Sequence, residues 1–201
     1  MSRLVLATRN AHKVSELRRI LAGLDGLEIV GVDAFPGVPD VAETGVTFAE
    51  NALLKARAVA RATGVPAVAD DSGLCVEVLG GAPGVFSARW SGRHGADRAN
   101  LELLLAQLSD VPDAHRAAWF ACAAALALPD GAERVVEGRL DGNVVRAPRG
   151  SGGFGYDPIF VPDGDTRTLA EYGPEEKDAI SHRGRAFRAL APVVEQVLAV
   201  A

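Results

Sequence analysis

The chain of 201 residues is 48% hydrophobic, enough to bury one substantial core, so a single domain over residues 1–201, in two lobes, is expected. A net charge of -5 excludes a protein that coats nucleic-acid polymers but leaves room for a small anion held by a few local cations. No segment is long and apolar enough to span a bilayer, and the first apolar run is too short for a signal peptide. Cys75 and Cys122 both lie in apolar runs, as the buried reduced thiols of a cytoplasmic protein would.

Leu4 to Ala7 reads as a buried strand, and after Thr8-Arg9-Asn10 a helix is expected with Val14, Leu17, Ile20 and Leu21 on one face. Asn10 is a candidate N-cap. Arg9, His12 and Lys13 place cationic or potentially cationic groups at a helix start, the end where the macrodipole disfavours them. Two readings fit: the cations point into water, or the Asn10 amide, the Lys13 ammonium and free backbone N–H groups cradle an anion such as phosphate. The Walker A pattern G-x-x-x-x-G-K-[ST] is absent.

A second strand is expected around Glu28 to Val32, followed by a proline-bearing loop in which Glu43, taken alone, reads as a solvated carboxylate. Thr47-Phe48-Ala49-Glu50 matches a capping box and opens an alanine-rich helix that stops at Gly64. Asn51 and Lys55 lie one turn apart on that helix. They form either an ordinary polar stripe or a second amide and cation aimed at the anion suspected near Asn10.

Ala67, Val68 and Ala69 read as a short buried strand ending in Asp70, Asp71 and Ser72, and open α/β sheets bind ligands beyond such strand ends. Side chains alternate along a strand, so if the extended conformation continues the two aspartates cannot face one ligand and should have different jobs. The plain alternative is a solvated Asp-Asp-Ser-Gly turn. Leu74 to Leu79 reads as another strand, Gly80 to Gly84 as a loop, and Asp97 to Leu108 as a helix with Leu101, Leu104, Leu105 and Leu108 inward.

Trp119 to Leu128 and Arg134 to Arg146 read as antiparallel strands joined by Pro129-Asp130-Gly131. Gly150 to Gly155 matches G-x-G-x-x-G, but Tyr156-Asp157-Pro158-Ile159-Phe160 continues as an extended, proline-containing segment with no helix, so a dinucleotide fingerprint is refused. What remains is a glycine loop leading to an aromatic and a carboxylate, either a platform for a planar base or core packing. Lys177, His182 and Arg183 precede a last helix with Phe187, Leu190, Val194 and Val197 on its apolar face. They are donors suited to a purine carbonyl or a phosphate, or else solvated helix-start residues. Pro192 is expected to kink or partly break that helix, at a cost of about 3 kcal/mol.

These runs, in order, resemble the inosine/xanthosine triphosphate pyrophosphatase family over nearly the whole chain. The motifs are Thr8-x-Asn10-x-x-Lys13, Glu43-Thr44-Gly45, Phe48-x-Glu50-Asn51-Ala52-x-x-Lys55-Ala56, Asp70-Asp71-Ser72-Gly73-Leu74, Gly152-Gly153-Phe154-Gly155-Tyr156-Asp157-Pro158, and Lys177 with Ser181-His182-Arg183. Arg9 and His12 depart from the first motif, where glycines are often found.

The resemblance implies an α/β fold with an elongated mixed central β-sheet flanked by helices, two lobes with a nucleotide cleft between them, Mg²⁺ dependence and a homodimer. It implies hydrolysis of ITP, dITP and XTP to monophosphate and pyrophosphate by water attack at the α-phosphorus. Asp71 would be the general base, and Glu43 with Asp71 would hold the metal. Thr8, Arg9, Asn10, Ala11, His12, Lys13, Lys55 and Ser72 would bind the nucleotide, chiefly its phosphates. Phe154, Gly155, Tyr156, Asp157, Lys177, His182 and Arg183 would take the base, by stacking and by donors to O6 that adenine's amino group cannot accept. How guanine is excluded stays open, contacts of Asp157 at position 2 being one route. A binding protein that kept the site without turnover is the alternative from another class, marked by tight ITP binding without hydrolysis.

Overall fold

Leu4, Val5 and Leu6 are fully buried, the continuous apolar run that a strand covered on both faces requires, and they form the middle of β1 (Ser2–Leu6). The structure, a computed structural model, describes residues 2–23 and 26–198. β1 lies between β2 (Leu27–Gly31) and β3 (Ala67–Val76) and is parallel to both, with Leu4 opposite Ile29 and Val5 opposite Ala67. β4 (Ala117–Ala127) and β5 (Glu133–Val144) are neighbours joined only by residues 128–132. So short a link cannot carry a parallel crossover, which makes the pair antiparallel. β6 (Phe160–Pro162) runs antiparallel to β5, with Asn143 opposite Val161. The order β2-β1-β3-β4-β5-β6 is the mixed α/β sheet expected from the sequence. Among the described residues no helix is long and apolar enough to cross a membrane.

Among the described residues five α-helices accompany the sheet: α1 (Ala11–Ile20), α2 (Phe48–Thr63), α3 (Asp97–Gln107), α4 (Pro174–Ile180) and α5 (His182–Leu198). Asn10 caps α1, and Thr47 and Glu50 form a capping box on α2, which ends at Gly64 in the left-handed region. α5 continues through Pro192 rather than breaking there. Burial of Phe187, Leu190 and Val194 on one stripe, each worth about 1.5–3 kcal/mol, outweighs the lost helical bond.

The chain divides into two compact units. The first takes the described residues up to Asp71, Cys122–Gly138 and those from His182 onward; the second takes Ser72–Ala121 and Arg139–Ser181. In the first unit strand alternation sorts the core into two layers. Leu4, Leu6, Val68, Cys122, Ala124 and Leu126 pack with Leu17 and Leu21 of α1 and with Phe187, Leu190 and Val194 of α5. Val5, Ala67, Ala69, Ala123, Ala125 and Ala127 pack with Ala52, Ala56, Val59 and Ala60 of α2. On that second side alanine meets alanine, which lets a helix approach a sheet closely.

The second unit is built on Leu74 and Val76, Leu101, Leu104 and Leu108 of α3, Phe120, Leu140, Tyr156, Ile159 and Phe160. Phe120 and Phe160 meet edge to face, their centroids 4.8 Å apart. Buried Arg116 satisfies its guanidinium on the carbonyls of Leu108 (2.6 Å), Val144 (2.8 Å) and Val145 (3.2 Å). These bonds supply the partners a buried charge needs.

Three expectations change here. The strand does not end in the Asp70-Asp71-Ser72 run; β3 runs unbroken through Asp70, Asp71, Ser72 and Gly73 to Val76. Leu74 to Leu79 is therefore no strand of its own: Leu74 to Val76 complete β3 and Glu77–Leu79 forms a 3-10 turn. Residues 156–160 are not wholly extended: Asp157–Ile159 forms a single 3-10 turn before β6, although no helix opens inside the glycine run.

Gly73 makes the passage possible, because a Cβ there would fall on the Gly84 carbonyl and the Ser87 hydroxyl. A Gly73→Ala variant should therefore lose about 1–3 kcal/mol by overpacking. Urea denaturation should show this as a lower midpoint.

Candidate active site

Because β3 stays extended, Asp70 and Asp71 leave it on opposite faces, each toward the layer its parity dictates. Asp70 shares the face of Val68 and meets α1 and α5. Lys13 Nζ donates to Asp70 Oδ2 at 2.9 Å and Arg183 Nε donates to the same oxygen at 3.1 Å. Arg183 Nη1 also donates to Glu16 Oε2 at 2.5 Å. Asp70, Glu16 and Arg183 are all buried, so this is a desolvated cluster of two carboxylates and two cations. Burial pushes the Asp70 carboxyl up, but Lys13, Arg183 and Lys55 outweigh it and hold the group far below the usual carboxylate range. Burial likewise opposes the charge on Arg183, and Asp70 and Glu16 more than restore it.

Asn10 explains why Lys13 sits there. Its Oδ1 accepts from the backbone N–H of His12 (3.0 Å) and Lys13 (3.2 Å), fixing the first turn of α1, while its own N–H donates to Thr8 Oγ1 at 3.2 Å. Arg9 does not point freely into water: it binds Asp40, the Val38 carbonyl (2.7 Å) and, more distantly, Asp33 (3.6 Å). Ala11 and His12 are exposed on the same turn.

Asp71 shares the face of Ala67 and Ala69 and meets α2. Asn51 Nδ2 donates to Asp71 Oδ2 at 3.1 Å, and Lys55 Nζ lies 3.4 Å from Asp71 Oδ1 and 2.6 Å from Glu43 Oε1. The second amide and cation suspected from the sequence are thus directed at Asp71 and not at the α1 turn. Burial, helped by the Glu43 charge, raises the Asp71 carboxyl above its ordinary value against the opposing pull of Lys55. Lys55 is itself raised: burial lowers it, but Asp71, Asp70 and Glu43 prevail.

The two clusters differ in their members. On the Asp70 side Asp70 and Glu16 meet Lys13 and Arg183, whereas on the Asp71 side Glu43 and Asp71 share the ammonium of Lys55. Two carboxylates brought to one ammonium offer the oxygen ligands that suit a hard cation. Among the described residues no set of three or more His, Cys, Asp or Glu side chains could hold a metal. Two carboxylates fit Mg²⁺, which keeps several waters and takes substrate phosphates as its other ligands.

In the second unit a separate arrangement surrounds Phe154. Lys177 Nζ lies 4.9 Å from the centroid of the Phe154 ring and donates to Asp157 Oδ2 at 2.7 Å. The Phe154 N–H donates to that same oxygen at 2.8 Å, and the Gly155 N–H donates to Asp97 Oδ2 at 3.1 Å. Gly153 has φ +67°, and any Cβ there would fall on the Asp157 carboxylate. Ser72, half-buried, opens this unit on β3.

Several sequence expectations are redirected. Tyr156 is not an exposed platform: it is buried, and its hydroxyl donates to the Ser87 carbonyl at 2.9 Å. Arg183 is not presented as a solvated donor but is a buried link between α5, Glu16 and Asp70. Lys177 falls in the second unit and His182, buried at the start of α5, in the first. Glu16, Asp97 and Ser87 escaped the sequence reading. Glu16 follows Lys13 by three residues, and that helical adjacency was the available signal. Asp97 looked like a helix start, and nothing local pointed to Gly155.

Fold and site together define a mixed α/β protein whose central strand carries two opposed acid–cation centres. The chain belongs to the Ham1 family, whose model matches residues 4–193. A protein named dITP/XTP pyrophosphatase from Streptomyces avermitilis is 72% identical over 98% of this chain and 100% of its own length, and one of the same name from Streptomyces coelicolor is 70% identical over the same shares. Among solved structures, a nucleoside-triphosphatase / dITP/XTP pyrophosphatase from Mycobacterium abscessus is 56% identical, with TM-score 0.77 over 94% of this chain and 99% of that one. A HAM1 protein from Coxiella burnetii is 43% identical, with TM-score 0.88 over 98% and 100%.

Asp70 contributes stability through its depressed pKa. The unfolded chain binds a proton near pH 3.9 and the folded chain only well below that, so the contribution is present above the unfolded value and fades as pH falls through the folded one. Asp70→Asn, which takes the shared carboxylate from buried Arg183 and half-buried Lys13, should cost about 3–5 kcal/mol at pH 7 by denaturant unfolding. Its deficit relative to wild type should shrink below pH 4.

Proposed function

We infer that this chain acts as one nucleoside triphosphate pyrophosphatase domain that hydrolyses deaminated purine nucleotides, ITP, dITP and XTP, to the monophosphate and pyrophosphate. The observation that carries the reading is the Asp71 centre: a carboxylate that shares Lys55 with Glu43 and is held by Asn51, on the face of β3 opposite the Asp70 cluster. Its presence in a chain 72% identical to a protein named dITP/XTP pyrophosphatase supports the substrate class.

Glu43 and Asp71 would hold Mg²⁺, which when bound neutralises phosphate charge and acidifies water. Asp71 accepts the proton of the attacking water. As the new bond forms at the α-phosphorus, the bond to the oxygen bridging the α- and β-phosphates breaks and pyrophosphate leaves. Lys13 and Lys55, with the Asn10 turn from Thr8 to Lys13, hold the triphosphate and offset charge on the leaving group. Arg9, clamped to Asp40, fixes the loop beside that turn. Arg183 contributes indirectly, by holding Asp70 and through it Lys13.

Phe154, with Gly155 and Asp157, offers the stacking surface and acceptor for a purine, Lys177 beside them supplies a donor for O6, and Ser72 contacts the nucleotide. Tyr156 shapes that loop from below through its bond to Ser87. The resemblance adds a homodimer, which sedimentation velocity tests. The two buried free thiols fit a cytoplasmic setting, in which they would stay reduced.

A panel of ITP, dITP, XTP, GTP and ATP with pyrophosphate detection should show Mg²⁺-dependent release from the first three, abolished by chelator, with ATP disfavoured by about 10⁴ in kcat/KM. Absence of release from all three deaminated substrates would defeat the reading. Asp71→Asn should lower kcat by about 10²–10⁴ while nucleotide binding and folding persist, and normal turnover in that variant would remove Asp71 from the reaction.

A further inference from the structure

Asn51 is fully buried on α2, and its amide is used at both ends. Oδ1 accepts from the Gly45 N–H at 2.8 Å and Nδ2 donates to Asp71 Oδ2 at 3.1 Å. The Gly45 N–H can only donate and the Asp71 carboxylate accepts, which fixes the amide orientation. Gly45 lies two residues after Glu43, whose carboxylate reaches Lys55 at 2.6 Å, and Lys55 returns to Asp71 at 3.4 Å. The contacts close a ring from Asp71 through Asn51, Gly45, Glu43 and Lys55 back to Asp71.

The loop side of this ring is pinned as well. Glu50 accepts from the N–H groups of Val46 (2.7 Å) and Thr47 (3.2 Å). A Cβ at Gly45 would lie 2.6 Å from Glu50 Cβ and 2.8 Å from Asn51 Oδ1, so the backbone can come this close only as glycine.

We propose that Asn51 is a positioning residue that fixes the Glu43 loop against Asp71 and commits Asp71 Oδ2, leaving Oδ1 as the reactive oxygen. The proposal rests on the hydrolase reading above. In that reading Lys55 turns toward the substrate's phosphates, which removes the ionic half of the ring; the Asn51 amide, neutral and enclosed, is the half that persists. The nearest replacements lose the place: Asp cannot donate, Gln is one methylene too long, and an apolar side chain leaves the Gly45 N–H and one Asp71 oxygen without these bonds.

Asn51→Ala and Asn51→Leu are assayed for ITP turnover, and Mn²⁺ binding to the nucleotide-free protein is followed by electron paramagnetic resonance. Expected are a 10- to 100-fold fall in kcat with KM for ITP within about threefold, and Mn²⁺ affinity weakened about tenfold. Wild-type kcat and Mn²⁺ affinity in either folded variant would overturn the proposal, as would a rise in KM with kcat and Mn²⁺ affinity unchanged. If neither variant folds, hydrogen exchange on the wild type decides. The Asn51 side-chain amide and the Gly45 N–H should stay protected when Mg²⁺ and a non-hydrolysable ITP analogue are bound, and loss of that protection on loading overturns the proposal. Wild-type protein inert toward every deaminated triphosphate would defeat the underlying reading instead, whereas an active wild type with an unaffected Asn51→Ala defeats this inference alone.

Discussion

Alternation of side chains along one buried strand governs the chemistry of this chain. Two adjacent aspartates on an unbroken β3 must face opposite layers, and the layers differ. On the α1 and α5 face Asp70 meets Lys13 and Arg183, the latter backed by Glu16, and its charge is cancelled within the protein. On the α2 face Asp71 shares the Lys55 ammonium with Glu43 and takes an amide bond from Asn51. A single-residue slip in register would exchange these environments, so pairing of β1 with β3, Val5 opposite Ala67, sets which carboxylate is structural and which is reactive.

The approach of α2 follows from residues that carry no chemistry. Ala52, Ala56 and Ala60 face Ala67, Ala69, Ala123, Ala125 and Ala127, and only such small side chains let the helix lie close enough for Asn51 and Lys55 to touch Asp71. The helix start is fixed by the Thr47–Glu50 box and its end by Gly64. Longitudinal register and depth are thereby both specified, one by caps and the other by alanine.

Local signals made much of this legible in the sequence. The Asn10 cap, the capping box at Thr47, the hairpin around Asp130 and the buried run at Leu4 are short-range features, and each appears where the residues place it. Ordered motifs carried the family. What the sequence concealed were effects whose partners lie far along the chain. Asp-Asp-Ser-Gly resembles a turn because the cations that let it continue as a strand stand 57 and 113 positions away. Arg183 was left between a ligand donor and a solvated residue because Glu16 is 167 residues distant, and Tyr156 between a base platform and core packing because its acceptor, Ser87, is 69 residues away. Pro192 was read from its local cost alone, without the stripe of α5 that sustains the helix.

The division of the chain into two units has a consequence for its handling. Boundaries fall after Asp71, Ala121, Gly138 and Ser181, and the first three interrupt β3, β4 and β5. Neither unit is a contiguous stretch of sequence. A single cut in the chain therefore cannot release either unit intact, and expressing one alone would mean joining segments that are separate in the sequence.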